Sequence, residues 1–113
     1  MSYINGAVFR LVGKERIGIM KFNEKTFLKT ELGANMTECV NAWDNALFEK
    51  SNHSIDTDEY RRACNVCLWC QAQWEIYQIA VRQFYHIEIH FSRTDEYYGI
   101  CTDNEKFLYK RSY

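Results

Sequence analysis

A chain of 113 residues with 47% hydrophobic and 16% aromatic content has enough apolar material for a packed core without metals or disulfides. This excludes a disordered chain and points to a single domain over residues 1–113, which the elements below make α+β. Fourteen basic residues against fifteen acidic ones, a formal net charge of −1, exclude a dominant phosphate-binding surface and equally an acidic mimic of nucleic acid.

Met1 to Gly6 holds no basic segment leading into an apolar signal stretch, and no apolar run reaches the 18 residues of a membrane span. With five cysteines, an odd number, the expectation is a cytoplasmic chain with reduced thiols and no membrane association. Ala7–Val12 and Ile17–Phe22 are two β-type runs joined by Gly13-Lys14-Glu15-Arg16, which predicts a hairpin. Thr26–Leu32 comes next as an optional third strand closed by Gly33.

Asn35-Met36-Thr37-Glu38 has the form of a capping box, and Met36, Val40, Trp43 and Leu47 recur at helical spacing, predicting a helix over 36–50. A second start signal places Asp56 as cap, Glu59 as its reciprocal acid and Ile55 as a staple onto Tyr60. It opens a long helix over 57–84, with a heptad stripe of Tyr60, Cys67, Trp74 and Val81 interleaved by Ala63, Cys70, Tyr77 and Phe84. Val66, Leu68, Trp69, Ile76 and Ala80 add apolar surface off that stripe, predicting burial on more than one side.

The last third alternates. Ile87, Ile89 and Phe91 face the core, and two more strands lie at Glu96–Thr102 and Lys106–Arg111. The predicted fold is therefore an antiparallel sheet, the N-terminal hairpin plus three C-terminal strands, packed on two helices in the order β-β-(β)-α-α-β-β-β.

Three constellations carry chemistry. Cys64, Cys67 and Cys70, with Cys101 as a remote fourth, have the spacing of some iron–sulfur sites, but residues i and i+6 of a helix lie about 9 Å apart along the axis. The thiols read better as core residues, with no metal and no cofactor. Cys67-x2-Cys70 with His86-x3-His90 has the residue types of a Cys2His2 zinc site with helix and strand interchanged. The basic, aromatic C-terminus, Lys106 to Tyr113, mixes cations with rings as nucleic-acid surfaces do. A helical pair, three antiparallel strands and a terminal Arg111-Ser112-Tyr113 resemble the layout of small ribosome-dependent mRNA-cleaving toxins. That resemblance implies a nuclease with His86 or His90 as general base and Arg93 or Arg111 stabilising the phosphorane. No Gly-rich phosphate loop, G-x-S-x-G or H-E-x-x-H occurs.

The favoured expectation is a non-enzymatic protein-interaction module, a small cytoplasmic inhibitor or regulator of the kind a phage or mobile element encodes, acting stoichiometrically on a macromolecular partner. Leu68, Trp69, Tyr109 and Arg111 are its expected contact residues, a protein being favoured over nucleic acid. Trp43 and Leu47 of the first helix are expected to cover Leu68 and Trp69. If they do not, the natural use of the long helix is self-association into a homodimer.

Overall fold

The computed structural model describes residues 22–113, so the expected hairpin of Ala7–Val12 and Ile17–Phe22 lies outside the described residues except for Phe22. The described chain is α+β, three helices and then three strands: α1 (Glu24–Phe27), α2 (Glu31–Asn52), α3 (Asp58–Tyr85), β1 (Ile89–Arg93), β2 (Tyr97–Thr102) and β3 (Phe107–Ser112). Among these residues the sheet is antiparallel with the order β1-β2-β3.

The expected strand at Thr26–Leu32 is a correction, because these residues are helical or turning. Local polar side chains supply the backbone partners that a ladder would have given. Asn23 accepts from the Lys25 N–H at 3.0 Å and caps α1. Thr30 caps α2, donating to the Phe27 carbonyl at 2.5 Å and accepting from the Gly33 N–H at 3.0 Å. This tight reversal brings Gly33 so close to α1 that a Cβ there would stand 2.1 Å from the Phe27 carbonyl oxygen. Gly33 therefore sits inside α2 and does not close a strand.

α2 starts five residues before the expected boundary because Thr30, and not Asn35, provides the cap. The long helix keeps its expected extent, but its cap is Thr57, whose hydroxyl accepts from the Tyr60 N–H at 3.2 Å, in place of Asp56. Ile55 is 74% exposed and staples nothing. His86 ends α3 in a left-handed conformation, φ 57°, with its N–H on the Arg82 carbonyl at 3.0 Å.

α2 and α3 form an antiparallel hairpin whose inner faces supply Met36, Cys39, Val40, Cys70, Trp74, Tyr77 and Val81 to the core. The sheet covers one side of that hairpin with Ile89 and Ile100, both fully buried. Trp43 stacks on Phe91 at 4.4 Å between ring centroids and leans on Trp74 at 6.4 Å. Gln78 donates to the Ile89 carbonyl at 2.9 Å, tying α3 to β1. At the far end Phe22, Phe27 and Tyr85 pack ring against ring, closing the bundle where α1 turns back. No described helix is long and apolar enough to cross a membrane.

Candidate functional site

The feature the sheet and α2 leave unaccounted for is the side of α3 that points away from the core. The buried residues Ala63, Cys67, Cys70, Trp74, Tyr77 and Val81 centre its inner face, and buried Ala80 marks that face's edge. At 100° per residue, Leu68, Trp69, Ala72, Ile76 and Ile79 fall on the opposite side. There Leu68 is 65% exposed, Trp69 59% and Ile79 52%. The expectation that Trp43 and Leu47 cover Leu68 and Trp69 is thus overturned: Trp43 turns inward to Phe91 and Trp74. Burial of α3 on more than one side is corrected for Val66, Leu68 and Trp69, which are exposed, whereas Ala80 is buried and Ile76 is partly buried.

Charge sharpens the point. An exposed helix face is ordinarily dressed with Lys, Glu and Arg, yet between Arg62 and Arg82 the single charged residue is Glu75. Trp69 also edges a cleft of about 430 Å³ between α2 and α3, together with Glu38, Ala42, Gln73 and Tyr77. A contiguous apolar stripe of this kind, with an aromatic anchor beside a cleft, is the composition of a protein-docking face.

A second feature joins α2 to the sheet. Asn41 Oδ1 accepts from the hydroxyls of Tyr98 at 2.5 Å and Tyr109 at 2.9 Å. One turn on, Asp44 Oδ1 accepts from Arg93 Nε at 2.7 Å and from the Tyr113 hydroxyl. Burial is the largest single influence on Arg93 and works against its charge, but the hydrogen bonds and charges of Asp44 and Tyr113 together outweigh it and hold the guanidinium above its ordinary value. Tyr98 is raised by burial and by Tyr109 alongside. Arg93, Tyr98 and Arg111 are register partners across β1, β2 and β3, so they form one row on the helix-facing side of the sheet. Sequence reasoning missed Asn41 and Asp44, whose partners lie 49 to 69 residues away, beyond the reach of any local pattern.

The expected contact residues therefore divide between two surfaces. Leu68 and Trp69 belong to the outer stripe of α3, whereas Tyr109 is tied to Asn41 and Arg111 ends the sheet row, exposed. Of the four residues of the nuclease reading, Arg93 and Arg111 share one row on either side of Tyr98, while His86 and His90 lie apart from it. His86 caps α3, His90 pairs with Asp103 at 2.9 Å, Arg93 is engaged by Asp44, and Arg111 stands beside Tyr98. On β1, His90 and Arg93 are three residues apart and so project from opposite faces.

The cysteines follow the helix. Cys67 and Cys70 are buried and Cys64 is partly covered, while Cys101 is buried on β2. Cys70 meets Cys39 of α2, whose thiol reaches the Cys70 carbonyl at 3.5 Å. Burial pushes the Cys39 thiol up to about 12, with Cys70 adding to the rise. Burial also raises Cys67, Cys70 and Cys101. Among the described residues no group of three or more Cys, His, Asp or Glu is placed to hold a metal ion. The chain matches no protein-family model, no curated protein and no solved structure.

Proposed function

We propose that this chain is a protein-interaction module that acts by stoichiometric contact, as a small inhibitor or regulator, through the outer stripe of α3. The observation that carries the reading is the solvent-facing Leu68, Trp69 and Ile79 on a helix that holds one charge between Arg62 and Arg82. Leaving these three large apolar side chains more than half in water forgoes roughly 1–2 kcal/mol each, which a docked protein surface recovers. Nothing in this mode of action calls for a cofactor or a membrane, and a cytoplasmic setting suits the free thiols.

The test is co-purification of the full chain from its native host, followed by titration of the recovered protein against wild type and Trp69→Asp. Because Trp69 is exposed, the variant keeps its fold, checked by far-UV circular dichroism. The expected result is saturation at a fixed stoichiometry with wild type and affinity at least about tenfold weaker for the variant. Equal affinity would remove α3 from the interaction.

A further inference from the structure

The outer stripe of α3 has a period that identifies its occupant. Asn65, Trp69, Ala72, Ile76, Ile79 and Gln83 are separated by four, three, four, three and four residues, a heptad seam distinct from the one that faces the core. Apolar residues fill its middle and an amide closes each end. The charged residues beside the middle of this seam are Glu75 and Arg82, one heptad apart on the same flank. In an antiparallel helix pair, like flanks face each other, so this arrangement can meet itself. With a two-fold axis between Ile76 and Ile79, each Ile76 faces the other copy's Ile79, and Ala72 faces Gln83. Trp69 then lies over the other helix end at His86, and each Glu75 reaches the other copy's Arg82.

Moving the axis by one layer, to between Ala72 and Ile76, sets Glu75 against Glu75 and loses both opposite-charge pairs. A parallel pair aligns the helix dipoles and places Glu75 away from Arg82. Arg82 has capacity for the contact, since its pairing with Glu88 uses Nε at 2.6 Å and Nη2 at 3.0 Å and leaves Nη1. Glu75 is exposed and stands on the flank nearest that seam.

We propose that the outer stripe of α3 binds the same stripe of a second copy of this chain, antiparallel about an axis between Ile76 and Ile79, with Glu75 of each copy against Arg82 of the other. The inference rests on reading this face as a protein-docking surface and names the protein that docks.

Sedimentation equilibrium on the pure full chain tests it. A dimer is expected at about 100 µM, with Ile79→Asp monomeric over the same range. Ile79 is 52% exposed, so the variant retains its helix content. Glu75→Arg alone and Arg82→Glu alone each raise the dissociation constant about tenfold, and the two together restore it to within about twofold. A monomeric wild type overturns self-association and leaves the docking reading standing if Trp69→Asp still loses its captured protein. A dimer indifferent to Ile79→Asp overturns the location. Failure of the double charge exchange to restore the dimer overturns the register.

Discussion

Asn41 is a small residue with a large structural share: both lone pairs of one amide oxygen are taken by tyrosine hydroxyls from two different strands. Replacing it with Ala leaves two partly buried hydroxyls without their acceptor and is expected to cost about 2 kcal/mol, read from urea unfolding. Tyr98→Phe removes one donor only and costs about 1 kcal/mol. Cys39 gives a pH dependence of definite sign. Its unfolded thiol ionises near 9.0, whereas the folded one keeps its proton to about 12. The stability linked to it is whole below pH 9.0 and declines as pH rises towards 12, by up to about 1.4 kcal/mol per pH unit. The drop in urea midpoint between pH 8 and pH 10 should be shallower in Cys39→Ala than in wild type. Alkylation in the folded protein should reach the half-covered Cys64 first and Cys39 and Cys70 last.

At the scale of elements, periodicity is a good guide where one face of an element meets one neighbour. α3, β2 and β3 stand within one residue of their expected limits because their patterns are set by a single buried face, whereas β1 starts at Ile89, after His86 has capped α3, and runs on through Ser92 and Arg93, where a turn is expected. The caps are less legible: Thr57 and Asp56, or Thr30 and Asn35, offer comparable oxygens, and only the path of the incoming chain decides between them. Thr26–Leu32 misleads for a related reason, since Phe27 and Leu32 are buried by α1 and α2 and not by a ladder. Thr57→Ala should destabilise the protein by about 1 kcal/mol through loss of the α3 cap. Gly99→Ala should cost more, about 1–3 kcal/mol, because a Cβ there would lie 1.9 Å from the Tyr109 carbonyl oxygen of the adjoining strand. Both values are readable from denaturant midpoints at unchanged m-value.

For the whole molecule, the sequence reveals the layers but not which side of the long helix they leave bare. An apolar outer stripe and an apolar inner stripe look alike in composition, and Leu68 and Trp69 are as suited to a core as to an interface. What distinguishes them is where α2 passes, and that is fixed by the clamp of Asn41 and Asp44 onto the sheet, which turns Trp43 towards Phe91. The candidate interface is therefore legible as residues and not as a surface.

The order of the described elements has a kinetic consequence. A helical hairpin succeeded by a meander of three consecutive strands keeps each strand pairing and the helix–helix contact between chain neighbours, so little loop entropy is spent before contacts form. The chain also contains no proline, which removes the slow isomerisation that delays many refolding reactions by tens of seconds. Stopped-flow refolding from urea at low protein concentration should finish in milliseconds to about a second without a minutes-long tail. The bonds from Asn41 and Asp44 to the sheet, which span 49 to 69 residues, carry the largest loop-closure cost among the side-chain hydrogen bonds of the described residues.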